Sequence, residues 1–463
     1  MFRRVALGMV IALSLWVTWS GSASAANGSH PQDIRASLDR GYTFLNTMMD
    51  AYQTGATTRL IQSYSDENGL GSTAFTYDNA LAIIAYLQRR TDDDVARARI
   101  LGDALLYAQN HDPNYQDGRL RQAYWVGPFT VPGLTANSDY FVKPNGQVNL
   151  VGWPWYFTGS AVGDMAWAGL ALTHLYFQTH DQRYLDGAVR LGTWIVSTTY
   201  DTRGPGGYDF GVDGNNTLLT YKSTEHNIDV YGLFSILAGL TQDAAWTQRA
   251  DHALRFIQAM WNPAGGFFWT GTTADGATIN RYPVPEDVQT WSYLALHAPQ
   301  YAASIDWATS HLTTTDIAGS PNASFGGDLS FTGLTFSNAS LQANPNVQPN
   351  PWTPKPDPNA VWFEGTGHGA AALLERHAPG DRELAETYLN NIRAAQATLG
   401  GNQHVNGRLL PVGYGVVAAS SPLDTGFGFD YFPYLHIGAT SWYLIASQAG
   451  NPYDLDHGRG TVQ

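Results

Sequence analysis

Six short clusters of acids, imidazoles and aromatic rings recur along the chain, each opening an apolar run. They are Thr76-Tyr-Asp78-Asn79, Gly163-Asp164, Ser223-Thr-Glu225-His226-Asn227-Ile-Asp229, Glu286-Asp287, Trp362-Phe-Glu364-Gly-Thr-Gly-His368 and Asp430-Tyr431-Phe-Pro-Tyr-Leu-His436. Two carboxyl groups facing one substrate can divide acid from base. One is protonated to load a leaving oxygen, the other ionised to activate water or to attack. Aromatic rings stack on the apolar faces of sugars, while Asp, Asn and His bond their hydroxyls. Such a set would suit the cleavage of a glycosidic bond.

Glu225 stands in the densest polar cluster on an otherwise apolar helix. Capping by Thr224 and the helix dipole account for an acid there, but not for His226 and Asn227 as well. A helix start favours the ionised carboxylate, so burial or a neighbouring acid must raise the pKa of Glu225 if it donates a proton. Glu364 sits between bulky aromatics and two glycines, with His368 one turn further on. These two glutamates are expected as the acid/base pair, with Asp78 the substitute for either. Asp164, Asp229 and His226 are expected to hold hydroxyls or the water, Asp229 from one turn below Glu225. Trp153, Trp155 and Trp362 are candidate stacking platforms, and Asp430 and Tyr431 are placed at the start of the last apolar helix. Glu286 and Asp287 follow Pro283 and Pro285, an ordinary helix start, and are read as that. Trp167, Trp194 and Trp442 are expected in the core.

These clusters need a scaffold that brings them together, and two kinds of helical pattern alternate along the chain. Amphipathic stripes include Ile34, Leu38, Tyr42 and Leu45; Tyr184, Ala188, Leu191 and Ile195; and Trp246, Ala250, Ala253, Leu254, Ile257 and Trp261. Weaker ones lie near 93–109, 300–313 and 381–397. Spacings of three and four give one buried face each. The other kind is apolar all round and must be buried: Tyr77–Leu87, Asp164–Phe177, Ile228–Leu240, Val288–Leu296, Gly367–Leu374 and Tyr434–Ile445. Gly169, Gly232, Gly239, Gly369 and Gly438 are expected to let these helices approach closely. Outer and inner helices alternate six times, with inner helices starting near 76, 163, 225, 286, 364 and 432. This predicts a closed all-α (α/α)6 toroid with short β-hairpins and long loops at one rim. Parallel inner helices would gather all six clusters at one mouth. Residues 335–360 carry six prolines and Trp352, which favours an extended cover.

Composition narrows the chemistry. The formal charge of −14 disfavours nucleic acid and anionic membranes. Zero cysteines remove thiol catalysis, Cys-ligated zinc and disulfides. There is no His pair at metal spacing, no HExxH, no phosphate-cradling glycine loop and no G-x-S-x-G elbow, so neither metal nor cofactor is expected. Arg3 and Arg4, the apolar run Val5–Val17 and Ala23-Ser24-Ala25 read as a secretory signal peptide over residues 1–25. Its removal takes the formal charge from −14 to −16. The expected organisation is a signal peptide at 1–25, one barrel domain at 26–450 and a C-terminal tail at 451–463, secreted and off the membrane.

The twelve-helix order, the glycine-rich turns and the acids at inner-helix starts resemble the six-hairpin glycosidases, the (α/α)6-barrel glycoside hydrolases. The resemblance spans essentially the whole mature chain and implies hydrolysis of an oligo- or polysaccharide, often by inversion, at the helix-N-terminal mouth. Related toroids host sugar epimerases and polysaccharide lyases. That alternative would recruit His226, Asn227 and Tyr231 around an abstracted proton. A third alternative keeps the toroid as a non-catalytic glycan binder, stacking sugars on Trp153 and Trp155.

Overall fold

The computed structural model describes residues 31–456 apart from 132–134 and 352. The expected signal peptide at 1–25 and Trp352 therefore lie outside the described residues.

Among the described residues twelve α-helices carry the fold: α1 (Pro31–Met49), α2 (Thr76–Arg89), α3 (Asp92–Asn110), α4 (Val162–Thr179), α5 (Gln182–Thr199), α6 (Thr224–Thr241), α7 (Ala244–Met260), α8 (Asp287–Leu296), α9 (Ala303–His311), α10 (Phe363–Arg376), α11 (Asp381–Thr398) and α12 (Ile437–Ser447). The even-numbered helices pack in the order α2, α4, α6, α8, α10, α12 and back to α2, which closes the ring. The odd-numbered helices lie outside it, each against one or two inner neighbours. This is an (α/α)6 barrel. Trp167, Trp194 and Trp442 are all buried in the core.

Packing explains the two sequence patterns. On α5, Tyr184, Ala188, Leu191 and Ile195 are buried while the opposite face is wet. Inner helices have neighbours on every side, so α4 buries Met165 through Leu172 without a break. A side chain at Gly169 would overlap Leu233 of α6, and its absence lets α4 and α6 touch. Gly239 does not serve that purpose, since nothing lies within 4 Å of it. The far end of α6 is partly open to solvent at Ser235 and Gly239.

Connections at the two ends of the barrel differ. At one end Arg90, His180, Gln242, His297 and His377 close α2, α4, α6, α8 and α10, each in the left-handed region with φ between 47° and 59°. Each returns its backbone N–H to a carbonyl four residues back, which ends the helix and turns the chain outward. At the other end the connections are long and carry short antiparallel strands. Thr73–Phe75 pairs with Ala123–Trp125 and runs into α2, and Ser160–Ala161 pairs with Gly211–Val212 and runs into α4. These strands fix where the inner helices begin.

Two expectations need correction. The last inner helix begins at Ile437, not near 432, because Asp430–Tyr431 pairs as a strand with Leu423–Asp424 and Pro433 follows. The expected tail also starts inside the barrel. Asn451 bonds the Leu294 carbonyl, His174 bonds the Pro452 carbonyl, and buried Tyr453 reaches the core between α4 and α6.

Candidate active site

Five inner helices present their N-terminal turns, and the sixth the residue just ahead of it, to one cavity of about 800 Å³ at the strand-bearing end. Tyr77 and Asp78 come from α2, Asp164 and Trp167 from α4, Glu225 and His226 from α6, Asp287 and Trp291 from α8, and Glu364 from α10. Trp362 and His436 are the residues just ahead of α10 and α12. The loops supply the walls: Tyr64, Trp155, Phe157, the cover residues Thr353 and Pro354, and Phe429–Phe432.

The acids are not there as caps. The residues preceding α2, α4 and α10 are Phe75, Ala161 and Trp362, none of which makes a side-chain cap. On α6 the cap is Ser223, whose hydroxyl accepts from the His226 N–H, not Thr224 as expected. The Thr224 hydroxyl is spent on the Trp269 carbonyl. Glu286 makes no cap either.

Glu364 is the most closely held group. Tyr77 donates to its Oε1 at 2.6 Å, and the Trp442 indole donates to the Tyr77 hydroxyl at 2.9 Å. His368 Nε2 lies 3.8 Å from the same oxygen, and His436 Nδ1 lies 3.5 Å from Oε2. Burial alone would raise this carboxyl, but the two imidazoles and the tyrosine outweigh it and hold its pKa below the ordinary value. Oε2 itself makes no hydrogen bond. His368 in turn bonds Glu286 Oε2 at 3.0 Å. Burial opposes the imidazolium, yet the two glutamates lift His368 to about 9. For Glu286 burial wins over His368 and the carboxyl shifts upward.

Glu225 faces the same cavity in the opposite state. Burial pushes its carboxyl well above the ordinary value, and the charges of Asp287, Asp229, Asp164 and Glu364 push it further. Among the described residues its carboxyl has no hydrogen-bond partner. Asp164 is lifted to about 8 by burial and Asp78, and Asp287 to about 7 by burial and Glu286. The cup is crowded with acids that cannot all ionise together.

Asp78 is tied to Glu364 through His436, whose Nε2 lies 3.1 Å from Asp78 Oδ1. A Cβ at Gly438 would stand 2.8 Å from both Asp78 Oδ1 and Glu364 Oε2, so these oxygens are at most twice that apart. Tyr64 stacks on His436 with ring centroids 4.2 Å apart.

The structure gathers Glu225, Glu364, Asp78, Asp164, His226, Trp155, Trp362, Asp430 and Tyr431 at the cavity. It leaves three expected contacts out. Asp229 is buried beneath the floor, where Tyr453 donates to its Oδ1 at 2.7 Å. His368 is buried behind Glu364 and positions it. Trp153 is 39% exposed outside the cavity: the chain turns here, with the Trp155 and Tyr156 N–H groups on the Gly152 carbonyl, and of this stretch only Trp155 and Phe157 line the cup. Glu286 and Asp287 do open α8, as read, but both are buried and Asp287 also lines the cup. Tyr64, Tyr77, Trp291 and His436 were not picked from sequence as site residues. Tyr77 and His436 stand in the acid clusters, whereas Tyr64 lies in a loop with no periodic signal. Among the described residues no three His, Asp or Glu side chains converge as a metal centre. No described helix is long and apolar enough to cross a membrane.

Similar architecture is found in solved structures of carbohydrate-active proteins. A sugar epimerase from a ruminal bacterium superposes with a TM-score of 0.56 at 11% identity, over 90% of this chain and 98% of that one. A Glu-to-Ala glycosidase variant bound to glucose gives 0.56 at 11% identity, over 90% and 97%. A family 76 glycoside hydrolase (mannosidase) from Bacteroides thetaiotaomicron gives 0.53 at 12%, over 89% and 98%. The fold is that of the six-hairpin glycosidases. No protein-family model matches the sequence, and no curated protein matches it. Within the six-hairpin fold these neighbours include both hydrolases and an epimerase, so chemistry has to be argued from the side chains.

Proposed function

We propose that the chain is an exported glycoside hydrolase of a neutral or weakly charged oligo- or polysaccharide, acting by inversion. The observation that carries this reading is the opposite titration of two carboxyl groups on one cavity, Glu225 upward and Glu364 downward. Glycosidic cleavage asks for that division of states. Glu225, neutral and with a carboxyl free of protein hydrogen bonds, protonates the leaving oxygen. Glu364, ionised and fixed through Oε1, takes a proton from water at Oε2. His436, whose Nε2 faces Asp78 at 3.1 Å, places its positive ring 3.5 Å from that oxygen without bonding it. Trp155, Phe157, Trp362 and Tyr431 offer rings for the sugar faces, and Asp164, His226 and Asp430 offer hydroxyl contacts. Residues 1–25 supply the export signal.

Of the residues that an epimerase or lyase reading recruits, one could serve as a base. His226 is held neutral by burial, with its pKa lowered to about 4, and its Nδ1 is unpartnered. The other two residues such a mechanism would recruit are placed elsewhere. Asn227 is spent on the Tyr208 backbone, and Tyr231 is not among the cavity residues.

A glycan panel digested by the purified protein and read by mass spectrometry tests the reading. Products gaining one water, lost in Glu225→Gln, are expected, and proton NMR should show the inverted anomer first. Products lighter by a water, or of unchanged mass with altered stereochemistry, would contradict hydrolysis. Full activity in Glu225→Gln would contradict the site.

A further inference from the structure

The hairpin ahead of α12 carries aromatic rings out over the rim of the cup. Its strands Leu423–Asp424 and Asp430–Tyr431 pair across the turn Thr425–Phe429. Gly426 and Gly428 take positive φ on either side of Phe427, which stands at the tip. The Thr425 hydroxyl accepts from the Phe427 N–H at 3.2 Å and donates to the Phe429 carbonyl at 2.6 Å. Ser337 donates to the Thr425 carbonyl at 2.8 Å and anchors the turn. The foot of the hairpin rests on a small apolar cluster separate from the main core, with Leu423, Trp362 and Phe336 buried and Tyr431 packed against them. The turn is a braced element that holds its side chains in place.

Phe427, Phe429 and Tyr431 follow at every second position and gather around Phe336, with ring centroids 5.8, 5.6 and 6.0 Å from it. Tyr431 is the inner end of the row and stacks on Trp362 at 5.7 Å. Phe429 lines the cavity yet is 47% exposed, while Phe427 is 38% exposed and lies outside the cavity. The row therefore starts inside the cup and leaves over its rim. Holding the hairpin down needs apolar contact at its foot, which Leu423 and Tyr431 already make. Single exposed apolar side chains need no explanation, but adjoining rings continuous with a binding cavity mark a contact surface.

The cavity of about 800 Å³ has the size that encloses a drug-sized ligand, which for a glycan means a few sugar units. A longer chain has to leave across the rim. Continuity with the cup selects the occupant of the exposed rings, since a protein seated on Phe429 would close the mouth that substrate must enter. We propose that Phe427 and Phe429 form a stacking track for sugar units beyond the cup, so that the substrate is a glycan chain longer than the cup encloses. The nature of the ligand rests on the hydrolase reading; the position of the track rests on the hairpin.

The test uses purified protein carrying Glu225→Gln, to block turnover, in native gels cast with soluble mannan, dextran, starch, xylan or mixed-linkage glucan. At least one of these polysaccharides should retard it. Adding Phe427→Ala should weaken that affinity about tenfold, and Phe427→Tyr, which keeps the ring, should preserve it. In the active enzyme the KM penalty of Phe427→Ala should grow along a length series of fragments of the retarding polysaccharide. No retardation by any of the five would overturn the proposal. Unchanged retardation in a folded Phe427→Ala, or a KM penalty equal at every chain length, would overturn it while leaving the hydrolase reading intact. Retardation that depends on Phe427, with no cleavage by the wild type, would sink the hydrolase reading and leave the track standing. A dimer in sedimentation velocity that Phe427→Ala disperses would overturn the track by making a second copy the occupant of the rings.

Discussion

Tyr77 of α2 donates a 2.6 Å hydrogen bond to Glu364 of α10, joining two inner helices across the mouth of the barrel. A hydrogen bond to a charged group contributes roughly 1.5–3 kcal/mol, so Tyr77→Phe should raise the pKa of Glu364. Turnover should fall about ten- to hundredfold, and the acid limb of the pH–rate profile should move to higher pH. An unmoved acid limb would mean that Glu364 is not the ionised partner.

His368 is the second support of that carboxylate, and its own stability signature can be measured. Its folded pKa of about 9 lies above the ordinary histidine value. Its contribution to stability is therefore complete below about pH 6.5 and is lost as pH rises through about 9. His368→Gln leaves Glu286 buried without its cation, at a cost of about 3 kcal/mol near pH 6. The deficit in thermal stability should narrow toward pH 10, and the acid limb of activity should rise as it does for Tyr77→Phe. A pH-independent deficit would contradict the imidazolium.

Much of this arrangement was legible in the sequence, and the parts that were not have physical reasons. Unbroken apolar runs such as Asp164–Phe177 can only be buried helices, so the ring of six followed from periodicity. Carboxylates at their starts converge because the inner helices run parallel, which brings Glu225, Glu364 and Asp78 to one cavity. The opposite pKa shifts of Glu225 and Glu364 depend on neighbours far away in the chain, such as Asp287 and His368, and no local pattern carries that. Glu286 read as a helix start because its partner His368 is 82 residues away. His436 went unchosen because the last helix was started too early, on residues that instead pair as a strand. Tyr453 read as tail because a single tyrosine in a short polar segment gives no periodic signal.

Gly438 gives a steric test of the convergence over α12. Gly438→Ala would set a methyl group 2.8 Å from Asp78 Oδ1 and Glu364 Oε2 and 2.7 Å from the His436 ring. Activity should drop at least about a hundredfold, the scale of losing a positioned base, with the far-ultraviolet dichroism unchanged. Retained activity would separate this cluster from the reaction.

The C-terminal segment closes the barrel from below. Truncation after Ala449 removes Asn451 and Tyr453, opening a hole beside Trp167 and stripping Asp229 of its donor. Loss of a buried aromatic costs about 3 kcal/mol or more, which should appear as a lower denaturant midpoint. The milder Tyr453→Phe should lose about 1–3 kcal/mol by leaving a buried carboxyl oxygen unpaired. Wild-type stability in the truncation would make this segment a true tail.

The central claim is that Glu225 holds a proton at neutral pH while Glu364 does not. It is tested without knowing the substrate, by difference infrared spectroscopy at pH 7 on the wild type, Glu225→Gln and Glu364→Gln. The protonated-carboxyl band should lose intensity in Glu225→Gln and keep it in Glu364→Gln, which should instead lose carboxylate absorption. A protonated band of undiminished intensity in Glu225→Gln, or one that weakens in Glu364→Gln, would contradict the assignment of acid and base.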